Sequence, residues 1–232
     1  RTVVYRNIFK AEFIERPNRF TAVCRLDGRE PSAHVRNTGR CGELLVPGAA
    51  VYLEHSDKPG RKTAYTLVAV KKGELLVNMD SGAPNKVFSE GIDSRRLILP
   101  GLEDVRMVRP EVTFQKSRFD FYLETAQRKA FVEAKGVTLE ENGTAMFPDA
   151  PTERGVKHVF ELMDAVKNGY GACIVFIIQM EGIERFVPNY RTHMRFGQAL
   201  KKAAGSGVGV YAYDCIVSES SIEVNREINV ML

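Results

Sequence analysis

The first 80 residues break into short apolar runs of strand length, and the remainder of the chain follows a different period. Phe20 to Arg25 (FTAVCR), Ala49 to Glu54 (AAVYLE) and Ala64 to Val70 (AYTLVAV) are β-branched or aromatic stretches. Asp27-Gly28, Pro47-Gly48 and Asp57-Lys58-Pro59-Gly60 are turn signals between them. Short strands with no helical period between them predict a small barrel. A five-stranded oligonucleotide-binding (OB) barrel is a candidate, since it presents a strand face and loops to nucleic acid.

After about residue 80 the pattern changes. Ala83 to Leu97 has loosely helical spacing and predicts a connecting helix. Phe119 to Leu123 and Ala130 to Lys135 read as two strands joined by a short polar turn. A helix is expected from Pro151 to Asn168, with Val156, Val159, Phe160, Met163 and Val166 on one buried stripe, Pro151 in its first turn and Asn168-Gly169 as its stop. Ala172 to Ile178 (ACIVFII) is continuously apolar, as a central strand covered on both faces requires. A second helix from near Thr192 to before Gly205 leads to a strand at Val208 to Val217. The prediction is an OB-like β-barrel over residues 1–82 that binds nucleic acid, and an α/β domain with a mixed sheet over residues 83–232.

Composition adds little except by exclusion. The 232 residues are 44% hydrophobic and 27% charged, as in an ordinary soluble protein. No apolar run approaches the roughly 20 residues of a membrane helix, and Arg1 to Lys10 contains no apolar stretch of signal-peptide type. The chain begins without Met, so the natural start is expected to differ. Cys24, Cys41, Cys173 and Cys215 form no CxxC pair and are expected to be buried free thiols in a reducing cytoplasm. Neither they nor the four histidines cluster as a zinc site would need. Charge is uneven: residues 1–80 hold 14 Lys+Arg against 9 Asp+Glu (+5), and residues 81–232 hold 19 against 20 (−1). A basic first third suits a polyanion partner, and equally a solvated basic surface.

The candidate chemistry lies on the two strands after residue 117. Strand alternation puts Glu133 and Lys135 on one face and Val132 and Ala134 on the other. In Phe119-Asp120-Phe121-Tyr122-Leu123, Phe119, Phe121 and Leu123 point to a core and Asp120 points away. If the strands are antiparallel neighbours, Asp120 and Glu133 approach closely enough to share a metal. Two carboxylates and a lysine suit phosphodiester hydrolysis with Mg²⁺ (or Mn²⁺) held by Asp120 and Glu133, Lys135 orienting water or stabilising charge. The plain alternative is a surface Glu–Lys pair beside an unrelated Asp.

Four segments extend the reading: Asn37-Thr38-Gly39-Arg40, Ser117-Arg118-Phe119-Asp120-Phe121, Val132-Glu133-Ala134-Lys135, and the long block from Phe147 to His158 (FPDAPTERGVKH). Together they resemble the signature segments of the sugar fermentation stimulation protein A family, over nearly the whole chain. The resemblance implies a cytoplasmic bacterial or archaeal protein with an N-terminal OB barrel and a C-terminal domain similar to PD-(D/E)XK nucleases. It also implies DNA binding and a link to expression of sugar-utilisation genes. Carried over, Asp120 takes the first acidic position, Glu133 the second and Lys135 the lysine, with Glu111, nine residues before Asp120, as the additional carboxylate. One departure is that Phe119, not proline, precedes Asp120. Pro148-Asp149 comes after the Glu-x-Lys element, the wrong order for that motif, and is expected to lead into the following helix.

Arg154, Lys157 and His158 project from that helix away from its apolar stripe, where they suit phosphate contact or proton transfer, or else form a solvated face. Arg36, Arg40, Arg61 and Lys62 occupy loops of the first third that suit phosphate contact, and Tyr52 or Tyr65 suits base stacking, or else packing. Asn37-Thr38-Gly39 is expected to be a tight turn; His34, His55 and His193 have no evident ligand role. No helix-turn-helix is visible. The expected partner is therefore DNA, held with weak sequence preference and steep salt dependence, with no membrane contact and a homodimer left open. Three functions remain: a metal-dependent endonuclease or deoxyribonuclease, a non-catalytic DNA-binding regulator that keeps a nuclease fold as scaffold, and an RNA-processing protein.

Overall fold

The computed structural model describes residues 3–37 and 39–232, so the Asn37-Thr38-Gly39 turn lies partly outside the described residues. Strand β1 (Val3–Val4) is followed by β2 (Ile8–Asn18), β3 (Thr21–Arg25), β4 (Ser32–His34), β5 (Ala50–His55), β6 (Tyr65–Lys72) and β7 (Leu75–Asn78). Their order is β4-β3-β2-β5-β6-β7, and a further parallel pairing of β4 with β6 closes five strands into a barrel. The turn signals work as read: Asp27, Gly28, Gly48 and Gly60 all adopt positive φ.

Helix α1 (Ala83–Ser94) connects the barrel to the second half. It stops three residues short of Leu97, where Arg95 turns left-handed at φ 61°. Beyond it come β8 (Met107–Phe114), β9 (Ser117–Glu124), β10 (Lys129–Val137), β11 (Leu139–Glu141) and β12 (Thr144–Phe147), then α2 (Glu153–Lys167) and β13 (Gly171–Ile178). The chain ends with β14 (Arg185–Pro188), α3 (Met194–Gly205), β15 (Gly209–Ser218) and β16 (Ser221–Val230). These strands make one mixed sheet in the order β11-β12-β14-β16-β15-β13-β10-β9-β8. Strand β1 pairs with β16, so the first described residues belong to this sheet and not to the barrel.

All eight residues of β13 are buried, as its apolar run requires. Its two faces feed separate cores. Ile174, Phe176 and Ile178 pack with α2, α3 and the barrel interior, whereas Val175 and Ile177 pack with α1 and the outer face of the barrel. Tyr52 belongs to this second core at 6% exposure, so it is a packing residue and not a stacking ring. Tyr65 instead meets His55 and Phe9 edge-on at a partly exposed end of the barrel.

Helix α2 begins at Glu153 because Thr152 caps it, its Oγ1 accepting from the Gly155 amide at 3.0 Å; Pro151 lies before the cap. Its buried stripe uses Val156, Val159, Leu162, Met163 and Ala165, while Phe160 is 38% exposed, contrary to the predicted stripe. His193 ties the starts of α2 and α3 together by accepting from the Thr152 amide. All four cysteines are free and buried. Burial pushes the Cys24 thiol to about 11 and that of Cys173 to about 12, which leaves them unreactive.

The barrel is locked to the sheet by buried polar groups. Asp80, just after β7, accepts from the Tyr5 hydroxyl at 2.8 Å and the Gly82 amide at 2.9 Å, and pairs with Arg36 at 3.0 Å. Gln179, just after β13, donates to Asn78 and to the Asp80 carbonyl, both at 2.9 Å. Gly136 makes this crossing feasible, since a Cβ there would lie 2.5 Å from Gln179 Oε1.

Candidate active site

Strands β9 and β10 are antiparallel, and their ladder runs from Lys129↔Glu124 to Val132↔Phe121. There the two strands part, and side chains take over the hydrogen bonding. The Asp120 amide donates to Glu133 Oε1 at 3.1 Å, and the Ala134 amide donates to Asp120 Oδ2 at 2.9 Å. Each carboxylate thus stands in for a ladder carbonyl of the opposite strand, which fixes both at the point of divergence. The apolar alternation also shifts here. Phe121 and Leu123 pack on the α1 side, but Phe119 stacks on Phe131 at 4.8 Å on the α2 side, correcting the expectation that all three share a face.

Glu133 and Lys135 face α2 as alternation requires. The Glu133 side chain is 3% exposed and that of Lys135 17%. His158 of α2 closes a triangle with them: its Nδ1 lies 2.7 Å from Lys135 Nζ and 3.1 Å from Glu133 Oε2, and Nζ is 3.5 Å from that same oxygen. Burial pushes both carboxyls up in pKa, with opposite net results. For Asp120 burial and the neighbouring Glu133 charge win, and it sits above the ordinary aspartate range. For Glu133 the contacts with His158 and Lys135 outweigh burial, and it sits below. Adjacent carboxyls with separated pKa values are common where chemistry is done.

Asp120 and Glu133 floor a cavity of about 580 Å³, which Lys135 does not itself line. One wall is α2, which contributes Arg154, Lys157, His158 and Glu161; the other is the β8–β9 hairpin, which contributes Glu111, Lys116 and Arg118. An acidic floor lies between two cationic walls. Lys116, Arg118 and Glu161 were not singled out from sequence, although Glu161 follows His158 by one helical turn and shares its face. Asn85 of α1 was also missed; its amide approaches Asp120 Oδ1 at 3.5 Å.

The structure brings Asp120, Glu133, Lys135, Arg154, Lys157 and His158 together. Glu111 stands across from Asp120, since Pro110 pairs with Phe121 and Val112 with Phe119. It lies at the rim, paired with Arg118 at 3.2 Å and 71% exposed, so it does not join the two carboxylates. Arg36, Arg40, Arg61 and Lys62 do not line the cavity. Arg36 is engaged by Asp80, and Arg61 donates to Thr66 Oγ1 at 2.7 Å. Pro148-Asp149 leads into α2 as expected, after a cis Phe147-Pro148 bond.

Among the described residues no group of three His, Cys, Asp or Glu side chains could hold a metal. The protein offers two carboxylates, each with one oxygen on a backbone amide. Such a set fits a hard divalent cation that keeps several of its waters, and does not fit zinc.

The family models match in the same two parts: the SfsA N-terminal OB domain over residues 14–79 and the sugar fermentation stimulation protein RE domain over residues 82–221. Sugar fermentation stimulation protein homologs from Desulfitobacterium hafniense and Clostridium beijerinckii are 53% and 50% identical to the chain. Each alignment spans 228 residues, which is 98% of this chain and 98% and 99% of the relative. The solved structure of Pyrococcus furiosus SfsA in complex with Ca²⁺ superposes with a TM-score of 0.89 at 30% identity, covering 100% of both chains. With an OB barrel, a mixed sheet and near-complete alignment to these relatives, the chain belongs to the sugar fermentation stimulation protein family.

Proposed function

We propose that the cavity between α2 and the β8–β9 hairpin is a metal-dependent phosphodiester-hydrolysing centre of the PD-(D/E)XK type, acting on DNA. The observation that carries this reading is the convergence of Asp120 and Glu133 on one cavity floor between two cationic walls, with Lys135 held against Glu133 and His158. Asp120 and Glu133 would hold Mg²⁺ or Mn²⁺; the Ca²⁺ bound by the Pyrococcus furiosus relative shares their preference for oxygen ligands. When bound, the cation supplies Lewis acidity and a water of lowered pKa. Lys135 presents an ammonium where charge develops on the phosphoryl oxygens. Arg154 and Lys157 from one wall and Lys116 and Arg118 from the other hold the flanking phosphates, which position the strand without reading its sequence. The link of such a protein to sugar utilisation would then run through DNA.

The test is incubation of the full chain with plasmid and with single-stranded DNA in Mg²⁺, Mn²⁺ or Ca²⁺, beside Glu133→Gln. Cleavage that needs a divalent ion and disappears in the variant is expected. A gel shift with intact DNA in every metal would replace this reading with that of a non-catalytic DNA-binding scaffold. Faster cleavage of RNA than of DNA would change the substrate.

A further inference from the structure

We propose that His158 is a positioning residue that lodges Lys135 beside Glu133, which rests on the reading of the cavity as a phosphodiester-hydrolysing centre. The geometry begins with Lys135. An ammonium has three donors and no lone pair, so a charged Lys135 with its Nζ 2.7 Å from His158 Nδ1 requires that nitrogen to accept. The imidazole proton then sits on Nε2, and the 3.1 Å approach of Nδ1 to Glu133 Oε2 is bridged by the ammonium that both face and not by a hydrogen bond from the ring. The other anchor for Lys135 is Glu133 Oε2 at 3.5 Å, an ion pair longer than a hydrogen bond. That oxygen is also the one not held by the Asp120 amide, and so the one Glu133 would turn toward a cation.

A lysine carries four rotatable bonds, and an ion pair alone leaves much of that freedom. When Glu133 engages a cation, His158 is the partner that keeps the ammonium in place. The imidazole is suited to this because α2 is fixed near by. Thr152 caps the helix, the Thr152 amide is held by His193, and Gly155 seats against Thr152 and Phe196 closely enough that a Cβ would lie 2.8 Å from the threonine methyl. With its side chain 13% exposed, His158 has little room for another rotamer. The fixed distance between helix and strand, not the Glu-x-Lys spacing alone, therefore sets where the lysine points.

The experiment uses the full chain and three variants: His158→Ala, His158→Asn and His158→Gln. Asparagine places an amide oxygen near the former Nδ1, and glutamine places its amide near the former Nε2. The first readout is acetylation of Lys135 by limiting acetic anhydride, followed by peptide mass spectrometry. The rate should rise about tenfold in His158→Ala, the scale of losing a hydrogen bond to a charged group, and return toward wild type in His158→Asn but not in His158→Gln. The second is DNA cleavage, in which kcat should fall about 10- to 100-fold in His158→Ala with KM unchanged, as for outer-shell partners of a metal site. Unchanged Lys135 acetylation in His158→Ala, or equal rescue by glutamine, overturns the proposal. If the wild type cleaves nothing in any metal, the reading of the cavity fails, and the acetylation rates still decide whether His158 holds Lys135.

Discussion

Asp80 and Glu133 are buried almost equally, at 2% and 3% side-chain exposure, and are built into opposite kinds of polar centre. At the joint between barrel and sheet, both Asp80 oxygens are closed off by Tyr5, Gly82 and Arg36, and Gln179 binds the carbonyl of the same residue. Nothing is left over for a ligand. At the cavity floor, Glu133 and Asp120 each accept from a backbone amide through one oxygen; the other Glu133 oxygen faces His158 and Lys135, and the other Asp120 oxygen faces the Asn85 amide at 3.5 Å. A fully satisfied network specifies a structure. A carboxylate pair whose outer oxygens are held by side chains alone, beside a polar cavity, is where a bound cation gains most. Burial alone does not tell scaffold from chemistry, and the partner list does.

Substitutions at the two centres should therefore fail in different ways. Glu133→Gln has the largest expected effect: cleavage falls by at least about 10³-fold, roughly 4 kcal/mol of transition-state stabilisation. DNA binding in a gel shift without metal should stay level or tighten slightly, because a negative charge facing phosphate is gone. Loss of binding along with cleavage would mark Glu133 as structural and erase the contrast with Asp80. Asp80→Ala should cost about 3 kcal/mol in urea unfolding, because Tyr5 and the Gly82 amide lose a charged acceptor in a buried site. Cleavage per folded molecule should not change. A stable Asp80→Ala protein with impaired cleavage would mean that the joint serves the reaction.

The cations divide along the same line. Arg154 and Lys157 line the cavity, whereas Arg36 is tied to the joint. Removing two phosphate contacts should lower the salt slope of log K for duplex DNA by about 1.8, at roughly 0.9 per contact. We expect that change for Arg154→Ala/Lys157→Ala in a salt titration on two unrelated duplexes, with similar loss on both. Arg36→Ala should leave the slope unchanged and lower stability instead. A reduced slope for Arg36→Ala would return DNA binding to the barrel, where the positive charge excess of the first 80 residues first suggested it.

Much of this was legible in the chain because local pattern dictated it. The turn glycines, the fully buried β13 run and the Glu133–Lys135 alternation follow from short-range geometry, and the structure keeps each of them. Strand β2, eleven residues long, was missed because charged residues interrupt its apolar pattern on the exposed face. Strand β16 was missed for a related reason, with Asn225, Arg226 and Glu227 breaking the run. What sequence could not supply was distance. Glu111 sits at the right register yet points to the rim, because β8 turns to positive φ there and Arg118 takes its carboxylate. Arg36 resembled a loop cation until Asp80, 44 residues on, proved to be its partner. Glu161 and Lys116 enter the site only because α2 and the β8–β9 hairpin face each other across the sheet.

The smallest expected effect tests whether the joint is purely structural. Lys72 of β6 reaches Glu140 of β11 at 2.9 Å, and the same carboxylate accepts from the Gly143 amide at 2.9 Å, so this pair also ties barrel to sheet. Burial would raise the Glu140 carboxyl, but the Gly143 hydrogen bond and Lys72 hold it below the usual glutamate range. A carboxyl depressed on folding contributes stability that is complete above its unfolded pKa, about 4.3, and is lost as pH falls through the folded value. Glutamine keeps an acceptor for Gly143 and removes the charge. Glu140→Gln should therefore cost about 1 kcal/mol near neutral pH, and the gap from wild type should close as urea unfolding is repeated at successively lower pH below about 4. A gap that persists in acid would assign the loss to packing. A change in cleavage at neutral pH would show that ties at the joint reach the cavity floor, and the separation between the two centres would no longer hold.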